Sequence, residues 1–344
     1  MIFLKGLHTG MQKCMGHGFF IPFFVHVISH LRISIGRIFQ KLLFRIALSV
    51  FTLILLLAIL FFCRRPVILV SDRAFDILYG QGRSQCKRIS LSLNLFRPIK
   101  VISIAEGAGP DLVVRGVMSL SRQPLAVFFP FRYKEAARHY LDKMPGSRAV
   151  ILAGRKLPEY GYEAEASQGS TAIPLWINTD TVTDLYRAGI IAGIFTQYDN
   201  LVPWQGIALV HEGLGEEEKS AFVRGLEAQQ WAGTPVFLSD LTVKDLSCAV
   251  VLKDFHFYGE ESARSLIFFT WLDPALASDK TRAIFDDSPW AQIGPVLKNI
   301  RKGKQDGLIP SEIILNRGDK EHNDVYNEIN RIKILKLKAE NADN

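Results

Sequence analysis

Two α/β lobes behind a single membrane-crossing helix are what this sequence predicts, and three observations carry that prediction. From 46 to 63 the chain holds no charge, and its only polar groups before Cys63 are the hydroxyls of Ser49 and Thr52. Beyond Pro66, short β-branched runs alternate with amphipathic stretches, the cadence of a parallel sheet covered on both faces. Between 155 and 172 this cadence lapses into Gly, Ser, Glu and Tyr, then resumes as a second αβ series. The expected organisation is an N-terminal segment over 1–41, the apolar span over 42–65 and a first lobe over 66–175. A second lobe follows over 176–270, with crossover strands and a helix completing both lobes over 271–318 and a charged tail over 319–344.

The apolar span would make about 27 Å of helix at roughly 1.5 Å per residue, against a bilayer hydrocarbon core of about 30 Å. Soluble helices are seldom apolar on every face, so a buried core helix is the weaker reading. Arg32, Arg37, Lys41 and Arg45 precede the span, while only Arg64 and Arg65 follow it closely. That bias predicts a cytoplasmic N-terminus and a main domain on the periplasmic or extracellular side of the cell membrane. Cys63 invites a second reading as a lipidated residue behind a signal peptide. Leu60, Phe61 and Phe62 are too large for the small-residue site that processing prefers, so an uncleaved anchor is favoured.

The totals bound the rest. The chain has 344 residues, 48% of them hydrophobic, enough for two lobes with real cores. The net charge of +7 is concentrated around the anchor, and no basic block is interleaved with aromatics, which argues against nucleic acid as a partner. No two of Cys14, Cys63, Cys86 and Cys248 form a CxxC, so a zinc site is not expected. Cys86 and Cys248 are read as separate buried thiols.

Element by element, 67–70 (VILV) is a strand buried on both faces. Phe75, Leu78, Tyr79 and Gly82 then recur at helical spacing. A strand over 100–105 leads to a helix marked by Leu112, Val113, Gly116, Val117 and Leu120, with Pro110 and Asp111 at its start. The strand over 125–129 is closed by Pro130, and Tyr133, Ala136, Ala137, Tyr140 and Leu141 mark the next helix. After the Pro145-Gly146 turn comes a strand over 149–153. The second series opens with a strand over 175–177 and a helix over 184–195 capped by Thr183. Its Ala188/Ala192 and Gly189/Gly193 pairs make a small-residue strip, read as close packing on a sheet. A strand over 206–210 precedes a helix over 215–231, whose Glu216, Glu217 and Glu218 suit the positive end of the helix dipole. Strands are expected over 235–238, 249–252, 265–272 and 282–285. A last helix carries Ile293, Val296, Leu297 and Ile300, and 312–315 closes the fold.

In this order the elements resemble a type I periplasmic binding protein, and they are most similar to the basic-membrane-protein branch of nucleoside-binding lipoproteins. The similarity covers roughly 67–315. The opening VILVSDRAFDILYG, with Asp72, Phe75 and Asp76, resembles the family's first strand and the turn into its first helix. TVTDLYRAGIIAGIF over 181–195 resembles the helix opening the second lobe, and IALVHEGLGEEEKSAFVRGL over 207–226 the following strand and helix. The segment 267–273 resembles the strand ending in a ligand-binding aspartate, and 283–303 the next strand and helix before a Lys-Gly turn. The family's lysine after the penultimate strand is replaced here by Asp286, Asp287 and Ser288, and the paired glycines of the first turn are missing. The resemblance implies two Rossmann-like lobes with parallel sheets, and a small-molecule ligand, a nucleoside or sugar, held between them. It also implies an ABC-type membrane permease as partner.

Ligands of open α/β sheets bind beyond the carboxyl ends of the strands. The residues placed there are Ser71, Asp72, Phe75, Glu106, Phe129, Phe131, Arg155, Glu212, Trp271, Asp273, Asp286 and Asp287. Flat rings and carboxylates together could sandwich a ring and accept hydrogen bonds from sugar hydroxyls. Asp72, Phe75, Trp271 and Asp273 carry most of that expectation. The structural alternatives are a helix cap for Asp72, turn chemistry for Asp273 before Pro274, core packing for Trp271 and Phe129, and capping for Asp286 and Asp287. No GxSxG, HExxH, Walker loop or GxGxxG is present, and His211 with Glu212 is a weak acid/base pair. The expectation is therefore a non-enzyme without cofactor or metal: a tethered solute-binding protein. The alternative is a ligand sensor or structural envelope protein that kept the fold and lost transport.

Overall fold

The computed structural model describes residues 44–79, 81–120, 122–155, 173–198, 206–211, 213–239, 246–252, 263–269, 279–303, 307–315 and 327. The chain divides into two compact units, Met1–Cys63 and Arg64–Asn344. In the first, helix α1 (Phe44–Cys63) is long and apolar enough to cross a membrane. Leu53, Ile54 and Phe62 on it are exposed. The Thr52 hydroxyl donates to Leu48 O at 2.8 Å, so the helix satisfies its own polar side chain.

The second unit runs β1 (Val67–Ser71), α2 (Arg73–Tyr79), α3 (Gln81–Asn94), β2 (Ile99–Ser103), α4 (Pro110–Met118), β3 (Ala126–Pro130), a single 3₁₀ turn (Phe131–Tyr133) and α5 (Lys134–Lys143). Next come β4 (Ala149–Gly154), β5 (Leu175–Thr179), α6 (Thr181–Tyr198), β6 (Ile207–Val210), α7 (Glu216–Glu227), β7 (Val236–Leu238) and β8 (Leu246–Val251). The chain closes with β9 (Ala263–Phe268), β10 (Thr281–Asp286), α8 (Pro289–Arg301), β11 (Leu308–Ile309) and β12 (Glu312–Leu315).

The described strands form two six-stranded sheets, ordered β11-β5-β4-β3-β1-β2 and β12-β10-β9-β8-β6-β7. Every pairing in the first sheet is parallel. In the second, β12 runs antiparallel against β10, and the other described pairings are parallel. The β-branched run of β1 is central because all five of its residues are buried, as a strand covered on both faces must be. One face of the first sheet (Val67, Leu69, Phe128, Val150, Ile177) packs on Trp290, Ile293, Val296 and Leu297 of α8. The other face (Ile68, Val70, Val127, Phe129, Ile151) packs on α4 and α5. In the second sheet, Ile207, Leu209, Val250, Ile267 and Phe285 pack on α6 and α7.

Among the described residues, three chain crossings join the lobes. β5 of the first sheet leads into α6 of the second lobe, β10 of the second sheet into α8 on the first, and β11 into β12 through Pro310 and Ser311 alone. β5 spans the expected 175/176 boundary and pairs with β4 in the first sheet.

Several local expectations change. A helix marked by Phe75 to Gly82 is in fact two, α2 and α3, and the second is too polar to announce itself by periodicity. The cap of α6 is Asp180, not Thr183: its carboxylate accepts the Thr183 N–H at 3.0 Å and the Thr183 hydroxyl at 2.7 Å, and the helix starts at Thr181. The strip on α6 meets a helix rather than a sheet. A Cβ on Gly189 would lie 2.3 Å from Phe222 O, and one on Gly225 2.2 Å from Tyr186 O, so the backbones of α6 and α7 touch there. Of the two thiols expected to be buried, Cys248 is and Cys86 is exposed. Within 265–272, β9 ends at Phe268, Phe269 still donates its N–H to Val251 O at 3.0 Å, and 270–272 lie outside the described residues.

Candidate functional site

The carboxyl ends of the two sheets meet. β1 ends at Ser71, whose hydroxyl lies 3.4 Å from that of Ser103 on β2. Asp72 follows and caps α2: one carboxylate oxygen accepts the Phe75 N–H at 2.9 Å. The other accepts the Tyr133 hydroxyl at 2.6 Å and Arg132 Nη1 at 2.9 Å. Burial alone would raise the Asp72 pKa, but the Tyr133 hydroxyl, the Phe75 amide and the Arg132 charge more than offset it and hold the carboxyl below its ordinary value. Burial, and then the same contact, pushes Tyr133 up to about 12. Asp72 therefore ties the turn after β1 to the turn after β3, and its oxygens are already engaged from within the first lobe.

The first lobe reaches the second through Arg155, one residue past β4. Its guanidinium donates to Phe269 O, and to Phe285 O at 3.4 Å, at the ends of β9 and β10. It lies 3.5 Å from an Asp287 carboxylate oxygen and 4.9 Å from the centre of the Phe269 ring, which stacks on Phe285 at 4.4 Å. Beside it, the Thr179 hydroxyl at the end of β5 accepts Gln292 Nε2 at 3.1 Å and lies 3.4 Å from Asp287. Asp286 is fully buried. One oxygen accepts the Ser288 N–H at 2.8 Å, and the other has Lys87 Nζ at 3.9 Å, a lysine also paired to Glu312 at 3.1 Å. Burial raises the Asp286 pKa. Tyr79 is raised as well, by burial and then by the charges of Asp287 and Asp286, with Arg132 acting the other way. Asp72, Arg132, Tyr79, Asp286, Asp287 and Arg155 thus form one polar seam along the facing strand ends.

A second network lies at the crossings. Asp184, near the start of α6, accepts the Ser311 N–H at 3.0 Å and the Ser311 hydroxyl at 2.5 Å; Arg187 Nη1 lies 3.2 Å from Asp184 and donates to Ser311 O at 3.1 Å. Burial pushes the Asp184 carboxyl up to about 6, against the opposing pull of Ser311 and Arg187. The first crossing is thereby fastened to the third.

Of the residues expected to line the site, Asp72, Asp286, Asp287 and Arg155 are brought together. Phe75 instead packs in the first lobe's core, edge-on to Trp290 with ring centres 6.3 Å apart. Phe129 is a correction: its ring is fully buried against Tyr140, so it fills the core and presents no face to a ligand. Glu106 lies on an exposed turn after β2, and Phe131 packs against Trp176 at 6.2 Å. Glu212, Trp271 and Asp273 fall outside the described residues. Sequence reasoning places none of Arg132, Tyr133, Lys87, Asp184, Arg187 and Ser311 at the site, and Tyr133 enters it only as a mark of the helix after Pro130. Arg132 and Tyr133 directly follow the closing Pro130, so the rule of strand ends points to their neighbourhood. Ser311 and Lys87 are remote in sequence from their partners and give no local signal. Among the described residues no cluster of three or more His, Cys, Asp or Glu could hold a metal ion.

Strand order, crossings and facing carboxyl ends give this chain two α/β lobes with mostly parallel sheets, the architecture that the resemblance to type I periplasmic binding proteins implies. No protein-family model matches the chain, and no curated protein sequence matches it. Solved structures do. An ABC transporter solute-binding protein from Conexibacter woesei is 15% identical, with 80% of this chain and 97% of that one covered and a TM-score of 0.48. A periplasmic solute-binding protein of an ABC transporter from Actinobacillus succinogenes, with bound D-allose, is 10% identical over 77% of this chain and 100% of that one, with a TM-score of 0.42. A transcriptional activator of the comK gene from Bacillus halodurans is 11% identical over 78% and 95%, with a TM-score of 0.44.

Proposed function

We propose that this chain is a membrane-tethered, extracytoplasmic solute-binding protein. It captures a small polar ligand between its lobes and hands it to an ABC-type membrane permease, without catalysis. The observation that carries this reading is the meeting of the two sheets' carboxyl ends across three crossings, with Arg132, Asp287 and Arg155 along the seam. Such an arrangement opens and closes about its links, and a ligand drives closure only by binding the closed form more tightly. The apolar helix α1 supports the tether, and the basic residues before it support a cytoplasmic N-terminus. The sequence echoes favour the basic-membrane-protein branch, which puts nucleosides first among ligands and sugars second. Asp72 and Asp286 serve as supports of the site rather than as the ligand's direct acceptors.

The test is thermal stabilisation of the purified full chain against nucleosides, sugars and amino acids. A true ligand at a hundred times its Kd adds about 2.7 kcal/mol, a rise of roughly 5 °C or more for lobes of this size. Silence across all three classes removes the proposal.

One observation favours the second reading, a ligand sensor or structural envelope protein. Arg155 already occupies the space between lobes, bonded to backbone carbonyls of the second. If that contact is permanent, Arg155→Ala unfolds or loosens the domain without creating affinity for any ligand. If it is a latch that ligand displaces, the same variant leaves the fold intact and changes ligand affinity severalfold.

A further inference from the structure

The opposite edge of the first sheet carries its own signal. β1, β2, β3 and β4 are parallel, so their amino ends share one edge. That edge is stitched together by Val67 N–H to Pro98 O at 3.0 Å, Leu125 N–H to Pro66 O at 2.8 Å and Val127 N–H to Arg148 O at 2.9 Å. Each of the four strands is preceded by arginine: Arg64 and Arg65 before β1, Arg97 before β2, Arg122 before β3 and Arg148 before β4. Arg301, in the last turn of α8, is close enough to act on Arg97 together with Arg64 and Arg65, and Lys302 follows it. Arg97 Nη1 donates to Arg65 O at 2.5 Å, and the Arg64 guanidinium lies 5.0 Å from the centre of the Phe96 ring. Arg64, Arg65, Arg122, Arg148, Arg301 and Lys302 are exposed. Leu93, at the end of α3, and Met118, at the end of α4, are 66% and 45% exposed at the helix ends that lead back to this edge. Asp142, in the last turn of α5, is an acidic group on that side.

Arg97, Arg64, Arg65 and Arg301 lie close enough for their charges to repel one another, a strain that an anionic partner relieves. We infer that this arginine edge is a docking surface for anionic phospholipid headgroups. Guanidinium groups bind phosphate through paired N–H donors, and exposed Leu93 and Met118 are the apolar side chains that enter an interface beside them. The partner is argued from charge complementarity and from sequence continuity, since Arg64 directly follows Cys63, the last residue of the apolar helix. The inference rests on the anchored reading of that helix.

The experiment reconstitutes the full chain into nanodiscs of phosphatidylcholine alone or with about one-third phosphatidylglycerol, and follows amide hydrogen exchange over 95–99, 120–126 and 144–149. Phosphatidylglycerol is expected to slow exchange there by roughly fivefold. The slowing should vanish in about 1 M salt, where charges are screened beyond about 3 Å, and in the Arg148→Glu/Arg301→Glu variant. Equal exchange in the two lipids, or slowing that survives high salt, overturns the inference. A chain that fails to enter phosphatidylcholine nanodiscs refutes the anchored reading instead. Flotation with anionic vesicles then decides the edge by itself: salt-sensitive co-flotation supports it and none overturns it.

Discussion

The two lobes solve the same packing problem differently. The first covers its sheet with bulky side chains on both faces, Trp290 on one and Phe129 with Tyr140 on the other. The second, where α6 meets α7, removes side chains altogether and lets Gly189 and Gly225 bring two backbones together. One interface fails by losing atoms and the other by gaining them. A junction built this way has no slack for a methyl group in the second lobe, whereas the first can relax around a cavity.

Four measurements break or sharpen that contrast. Trp290→Ala removes the largest side chain linking α8 to the first sheet, and should cost roughly 3–5 kcal/mol in urea unfolding; a loss under about 1 kcal/mol would mean that α8 is not a core element. Gly225→Val drives carbons into Tyr186 O and should cost about 1–3 kcal/mol, with the second lobe exchanging its amides first. An unchanged midpoint would show the helices to be further apart than described. Tyr133→Phe takes one hydrogen bond from a buried carboxylate and should cost about 1.5 kcal/mol, with Arg132 left as the remaining side-chain donor to Asp72. A cost near zero would mean that the hydroxyl does not hold the carboxylate.

The last effect is a matter of slope against pH. Asp72 has a folded pKa below its ordinary 3.8, so it contributes stability above 3.8 that is lost as pH falls through the lowered value. Asp184 is raised to about 6, so its contribution is present below 3.8 and is lost as pH rises through about 6. The two groups therefore oppose each other. Asp184→Asn should flatten the decline between 3.8 and about 6, and Asp72→Asn the decline at lower pH; identical curves for both variants would refute the assignment.

The alternating strands are legible because residues such as Val67 to Val70 are apolar on both faces, a pattern that few other structures demand. α3 is not, since its exposed Gln85, Cys86 and Ser90 interrupt any clear stripe. β11 is only two residues long, below the reach of any periodicity. The seam is half legible. The rule of strand ends finds Asp72, Arg155, Asp286 and Asp287, because topology alone fixes where strands stop. It also selects Phe129, since the side of a sheet on which a ring falls depends on helices packed from elsewhere. Lys87 and Ser311 meet their partners only through the returning path of α8 and β12.

The passage from β11 to β12 holds just Pro310 and Ser311. Three Cα steps span at most about 11 Å, and proline stiffens one of them. In the proposed closure such a link is the pivot pin: the halves swing or twist about it, yet they cannot slide apart by more than the pin's own length. Any gape at the mouth must then come from rotation, so its width grows with distance from Pro310.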